Sequence, residues 1–209
     1  DGIVIIDPVK SKGQKQIVEA CPYGAISWNE EKQLPQHWIF DAHLLDSGWI
    51  PSHLEVAYAS LADDVLSLVQ QRFEQAMPLR TLRLHGDCHP GNVLWTDKGP
   101  HFVDLDDCMT GPAVQDLWML LSGRPEEMRA QLDDIVEGYQ EFADFDQHET
   151  ALIEPLRTLR IMHYAGWLAR RWDDPAFPRA FPWFQEPKYW EQHVLNLREQ
   201  VAAMEEPFP

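Results

Sequence analysis

The chain has 209 residues, 44% of them apolar, with 17 Lys and Arg against 34 Asp and Glu for a formal charge of −17. That composition supports a packed core rather than disorder. The acidic balance excludes a nucleic-acid binder, which needs basic patches against phosphate. A nucleotide stays admissible, because Mg²⁺ bridges carboxylates to phosphates.

Cysteines stand at 21, 88 and 108, an odd number at wide spacing with no CxxC pair. No disulfide framework is expected, which fits a reducing compartment. The sequence has no run of eighteen apolar residues and no signal peptide, so a cytoplasmic protein with no membrane partner is expected. The sequence does not give the oligomeric state.

In chain order, DGIVIIDP (1–8) reads as a strand ended by Asp-Pro and SKGQKQIVEAC (11–21) as a short helix. Residues 22–36 read as a turn, a short strand and a loop, and 37–49 as apolar but poorly periodic. From 53 to 73, Leu54, Ala57, Leu61, Val65, Leu68 and Val69 follow helical spacing, with Ser52 as the cap. TLRLHGD (81–87) reads as a strand entering a loop. Residues 93–95 and 101–103 read as two strands around the turn TDKGP. Helices are expected over 112–122, 126–142 and 147–172, where Pro155 marks either the real start or a kink. Residues 174–187 read as a Pro- and aromatic-rich loop, and 188–204 as a last amphipathic helix.

The chemistry concentrates in LHGDCHPGNVLW (84–95) and HFVDLDD (101–107). A turn centred on Lys98 predicts that Val93 faces Val103 and Asn92 faces Asp104 across an antiparallel pair. Asp87 lies five residues before Asn92, across a loop that can fold back. Three oxygen-bearing side chains then converge, as a hard cation and a phosphate require. The spacing Asp-x-x-x-x-Asn followed by a separate Asp is that of a kinase, with a base at Asp87 and metal ligands at Asn92 and Asp104. His85 is read as a hydrogen-bonded support, and His89, Pro90 and Gly91 as loop-shaping. Asp106 and Asp107 are either outer-shell groups or solvated turn residues, and Asp116 is an anchor for the loop from a helix. No chemistry is assigned to Cys88 or Cys108.

With GPAVQDLWMLLSG (111–123), RRWDDPAFPRAFPW (170–183) and Tyr189-Trp190, these motifs make residues 50–209 resemble the aminoglycoside phosphotransferase-like kinases. Within them the likeness is to the Ser/Thr protein kinases of bacterial stress responses. The resemblance implies ATP as co-substrate, Mg²⁺ as cofactor and a protein Ser/Thr hydroxyl as acceptor. It also implies a mainly helical kinase C-lobe with a short catalytic β-hairpin. Residues 1–49 carry no phosphate-covering loop and no strand Lys paired to a helix Glu, so an N-lobe is expected to be missing. Lys10, Lys12 and Lys15 read as a solvated stretch.

Residues 1–49, through CPYGA (21–25) and AHLLD (42–46), are similar to iron–sulfur subunits that partner molybdopterin oxidoreductases and transhydroxylases. Such subunits hold clusters through several thiolates. Here only Cys21 stands in the segment, with Trp38 and Asp41 in the stretch where a CxxC would precede AHLLD, so no iron–sulfur cluster is expected. The expected architecture is therefore α+β. A small β-containing, ferredoxin-like fragment (1–49) precedes the kinase-like lobe (50–209), with a junction near Trp49–Ile50. Three alternatives accompany the protein-kinase reading: a small-molecule phosphotransferase acting on an aminoglycoside- or choline-like hydroxyl, an electron-transfer subunit fragment, and a catalytically inactive binding module.

Overall fold

The computed structural model describes residues 27–29, 34–36 and 44–206. The expectations placed on Lys10, Lys12, Lys15, Cys21, Trp38 and Asp41 lie outside the described residues. Within 1–49 the structure describes an antiparallel hairpin of β1 (Ser27–Asn29) and β2 (Leu34–Gln36), with Trp28 opposite Pro35. The sequence reading had only one strand here, since a Pro inside three residues argues against a strand. An edge position tolerates it, because the missing N–H is not needed there.

The chain clusters into two compact units. Of the described residues, the first takes in 73–153 and the second 44–72 and 154–206.

In the second unit, α1 (Glu55–Gln75) starts the helical part and runs on into the first unit. Tyr58, Ala62, Val65, Leu66 and Val69 form its buried stripe, at the i, i+4, i+7, i+8, i+11 spacing of one helix face. Ser52 does not cap it. Residues 51–54 form a turn in which the Leu54 N–H donates to the Pro51 carbonyl at 2.7 Å, and the helix begins beyond them.

The segment 147–172 resolves into a 3₁₀ helix (Gln147–Leu152) followed by an α-helix (Ile153–Arg170). Pro155 falls in the first turn of the latter, where its absent N–H costs nothing, so it marks the start and not a kink. The expected loop at 174–187 is instead folded, as a short helix (Ala176–Ala180) and a 3₁₀ turn (Pro182–Gln185). Its organiser is Phe184, fully buried, with ring centroids 4.9 Å from Trp49, 5.2 Å from Trp172 and 5.0 Å from Trp190. Aromatic pairs at such separations add to the area they bury. The last helix is Pro187–Glu205.

The first unit holds two small sheets. β3 (Leu82–Leu84) pairs antiparallel with β6 (Met109–Gly111), a strand the sequence reading did not include. β4 (Val93–Thr96) and β5 (Gly99–Phe102) form the hairpin. Its register differs from the predicted one. Val93 faces Phe102 and Thr96 faces Gly99, so the turn holds only Asp97 and Lys98. Among the described residues neither has a positive φ, whereas Gly99 has φ +105°. The left-handed residue thus comes after the turn, and it pulls the register one residue short of a turn centred on Lys98. The region 112–122 is a short α-helix, α2 (Val114–Leu117), continued by a 3₁₀ turn (Trp118–Leu120). α3 (Pro125–Gln140) begins with Pro at its first position, and Glu127 reaches back to accept the Arg124 N–H at 2.8 Å.

Candidate functional site

The loop between β3 and β4 carries His85, Asp87 and Asn92. Three features of the sequence fold it. Gly86 takes φ +90°, and a Cβ there would meet the Asp107 carbonyl, so only glycine lets the loop lie against the 105–107 segment. His89 precedes a 3₁₀ turn (Pro90–Asn92) and its Nδ1 accepts the Gly91 N–H at 3.0 Å. Pro90 supplies the fixed φ that starts that turn.

Asn92 is buried, and its Nδ2 donates to the Asp87 carbonyl at 3.0 Å. The loop is thereby closed across five residues, with the Nδ2 end of the Asn92 amide turned toward the Asp87 carbonyl. The end left to meet a cation is Oδ1, the hard oxygen such a cation takes. The Asp87 carboxylate lies 3.6 Å from His89 Nε2.

Asp104 does not stand opposite Asn92, as the predicted register had it. The Asn92 carbonyl instead accepts the N–H of Val103 at 3.0 Å, which continues the observed pairing by one step. Asp104 comes next and adopts a left-handed conformation, φ 62° and ψ 63°, unlike any other described non-glycine residue. Asp and Asn tolerate that region better than other side chains. The bend lets the chain leave the hairpin immediately after Val103 and enter the 3₁₀ turn Leu105–Asp107. Sparsely populated backbone of this sort clusters at working sites.

His85 ties the two strands of the site together. Its Nδ1 accepts the Asp87 N–H at 3.3 Å and its Nε2 bonds to the Val103 carbonyl at 2.8 Å. An N–H can only donate and a carbonyl can only accept, so the pair of bonds fits the Nε2–H tautomer. His85 thus bonds to the Asp87 N–H on one side and the Val103 carbonyl on the other. Asp116, in α2, accepts the His85 N–H at 2.7 Å and the Gly86 N–H at 2.9 Å through its two oxygens.

Gln115 was missed. It is buried and donates from Nε2 to the Gly86 carbonyl at 2.9 Å. The only sequence hint was a polar residue inside the apolar run GPAVQDLWMLL. Asp106 is exposed on the 3₁₀ turn beyond Asp104. Cys88 is buried next to Asp87, and burial, with the Asp116 and Asp87 charges, pushes its thiol up to about 11. Such a thiol is inert at neutral pH, in keeping with assigning it no chemistry.

Among the described residues no three of His, Cys, Asp and Glu form a metal-holding group. That does not disqualify Mg²⁺, which takes one or two carboxylates and completes its shell with phosphate and water rather than with an all-protein cage. Asn92 Oδ1 and the Asp104 carboxylate are a donor set of that kind. A cavity of ≈ 200 Å³ in the second unit is lined by Ile161, Tyr164, Tyr189, Gln192, His193 and Asn196, none of them a residue of the Asp/Asn loop. The hairpin beside that loop exposes apolar side chains, with Leu94 at 51%, Trp95 at 77% and Phe102 at 53% exposure. No described helix is long and apolar enough to cross a membrane.

Comparison with known proteins gives the family of the chain. The profile of the phosphotransferase enzyme family matches residues 27–153, from one side of Trp49–Ile50 to the other. Stress response kinase A of Escherichia coli (strain K12) is 46% identical over 195 residues, covering 93% of this chain and 56% of that protein. A protein of Salmonella typhimurium named serine/threonine protein kinase RdoA is 49% identical over 162 residues, covering 78% of this chain and 48% of its own length. The chain thus spans about half the length of these relatives. The solved structure of the amicoumacin kinase hAmiN in complex with AMP-PNP, Ca²⁺ and Ami aligns with a TM-score of 0.42 at 19% identity, over 86% of this chain and 56% of that one. The iron–sulfur resemblance of residues 1–49 has no counterpart among these matches.

Proposed function

The chain belongs to the phosphotransferase enzyme family, and from that premise we propose that it carries the catalytic loop of an ATP- and Mg²⁺-dependent protein kinase acting on Ser or Thr. The observation that carries the reading is the closed loop, in which the Asn92 amide is bonded to the Asp87 carbonyl and the Asn92 carbonyl to the Val103 N–H, with Asp104 following. It supports a reading in which Asp87 serves an acceptor hydroxyl and Asn92 and Asp104 offer oxygen donors to a cation, the parts phosphoryl transfer uses.

In this reading Asp87 accepts a hydrogen bond from the acceptor hydroxyl and orients it for in-line attack. Asn92 and Asp104 hold Mg²⁺, which when bound offsets the charge on the phosphate oxygens. His85 keeps the Asp87 loop and the strand end before Asp104 in register, and Asp116 and Gln115 hold the loop from below. The exposed apolar face of the β4–β5 hairpin gives a nucleoside base a surface to lie on. A protein acceptor is favoured over a small molecule by the likeness to the Salmonella typhimurium serine/threonine protein kinase. An electron-transfer role or an inactive binding module draws no comparable observation. The chain spans about half the length of its relatives, so the activity of the whole protein is part of this proposal.

Calorimetric titration of Mg²⁺–ATP tests the reading, followed by phosphate transfer from labelled ATP to a Ser/Thr protein acceptor and, in parallel, to an aminoglycoside. Binding that needs Mg²⁺ and is lost in Asp104→Asn, with transfer lost in Asp87→Asn, is the expected result. Binding unaffected by Asp104→Asn would refute the metal assignment, and transfer only to the aminoglycoside would refute the protein acceptor.

A further inference from the structure

Glu149 lies outside every motif that the sequence singles out, in the 3₁₀ helix Gln147–Leu152, and is only 2% exposed. A carboxylate taken out of water is costly unless hydrogen bonds replace its hydration. Its Oε2 accepts the Val114 N–H at 2.9 Å, and the Ala113 N–H bonds to the same carboxylate. Burial raises its proton affinity, while these two bonds and the charge of Arg80 work against that rise.

The amides of Ala113 and Val114 open α2, and an opening turn has N–H groups without intrahelical partners. The next two residues are Gln115 and Asp116, the pair that grips the carbonyl of Gly86 and the amides of His85 and Gly86. A four-residue helix has too few internal bonds to hold its own position. Something outside it must fix where the grip sits. We infer that Glu149 is a positioning residue for the Asp87 loop, acting through α2 and its Gln115–Asp116 grip; the inference deepens the phosphotransfer reading and rests on it.

The linkage is short and continuous. Glu149 holds Val114, Asp116 two residues on holds His85 and Gly86, and His85 Nδ1 receives the Asp87 N–H. No step in it relies on a side chain that touches substrate. A displacement of about 1 Å at a reacting group is enough to cost roughly a hundredfold in rate, so a remote mount of this kind has leverage.

The test is residue-resolved amide hydrogen exchange on the chain and on Glu149→Gln, together with phosphotransfer kinetics. Gln keeps the volume but offers one acceptor oxygen and no charge. Exchange at His85 and Gly86 should quicken by about tenfold or more while Thr96 and Phe102 in the hairpin stay as they were. The kcat should fall by roughly 10- to 100-fold with KM for Mg²⁺–ATP moved less than about threefold. Glu149→Asp, which keeps the charge on a shorter stem, should fall between the parent and Gln, and it carries the test should Gln fail to fold. Unchanged exchange at His85 and Gly86, or an equal rise across the hairpin, would overturn the inference, because the second pattern is loss of stability and not of position. If the parent transfers no phosphate yet Glu149→Gln still loosens those two amides selectively, the mount stands and the kinase reading falls.

Discussion

The Asp116 carboxylate accepts two consecutive backbone N–H groups, from His85 at 2.7 Å and Gly86 at 2.9 Å, across thirty residues of sequence. Each oxygen serves one amide, so the side chain works as a two-pronged clip on the peptide chain just before Asp87. Asp116→Asn keeps the shape but turns one prong into a donor facing a donor. Hydrogen bonds to a charged group contribute about 1.5–3 kcal/mol. A loss of about 2 kcal/mol in urea unfolding is expected, together with loss of Mg²⁺–ATP-dependent activity. An Asp116→Asn protein as stable and active as the parent would refute the clip.

Two glycines with left-handed backbones should answer very differently to the same change. At Gly86, φ +90°, a Cβ would run into the Asp107 carbonyl and lie 3.3 Å from Met109 Cγ. At Gly99, φ +105°, it would meet nothing within 4 Å. Gly99→Ala should therefore cost only backbone strain, about 1–2 kcal/mol. Gly86→Ala must in addition push two backbone segments apart, and a loss above about 3 kcal/mol is expected. Equal losses in chemical denaturation would count against the close approach.

The backbone of Asp104 decides how its charge should be tested. Alanine at φ 62° brings strain of about 1–2 kcal/mol, so Asp104→Ala confuses a lost ligand with a disturbed turn. Asparagine accepts the left-handed region and removes the charge. Asp104→Asn should melt within about 2 °C of the parent and yet lose Mg²⁺-dependent nucleotide binding. Asp104→Ala should lose both binding and stability. Retained nucleotide affinity in Asp104→Asn would remove Asp104 from the metal site.

His193 makes stability depend on pH. Its ring is stacked between Tyr58 and Tyr189 at 5.8 and 5.9 Å, and burial lowers its pKa from 6.5 to about 4. Between those values the unfolded chain holds a proton that the folded chain does not, so stability falls as pH falls. The contribution is present in full above about pH 6.5 and should shrink by about 2 kcal/mol by pH 5. Glu149 acts in the opposite sense, since its raised pKa lends stability as pH falls. Comparison with His193→Phe cancels that effect, because Glu149 is common to both proteins. The parent should lose more stability than His193→Phe between pH 7 and pH 5, and parallel losses would dismiss the histidine.

Much of the site was legible in the sequence because its parts are local. His85, Asp87 and Asn92 fall within eight residues, and Gly, Pro and His between them dictate how the loop turns. Asp116 was legible as an anchor because a carboxylate in an apolar helix has to bond to something. The hairpin was legible, but its register was not. Register depends on which residue takes the left-handed conformation, and both Lys98 and Gly99 sit in the turn sequence. β6 escaped notice because Met-Thr-Gly carries no alternation, and only its pairing with β3 makes it a strand. The folding of 174–187 was hidden for a related reason. Proline and aromatics read as a loop until Phe184 is seen against Trp49, Trp172 and Trp190, contacts that no local pattern encodes.

The grip of Gln115 and Asp116 falls on peptide groups, and peptide groups are common to all sequences. The mount is consequently blind to most of the side chains it carries. Inheritance can then act on the two halves of the device at different speeds. Substitutions at Cys88, His89 or Pro90 leave the gripped amides and carbonyl at 85 and 86 where they are, whereas a change at 115 or 116 removes the grip outright. In a collection of random variants, tolerance should therefore be lower at 115 and 116 than at 88, 89 or 90, although the helix they stand on touches no substrate.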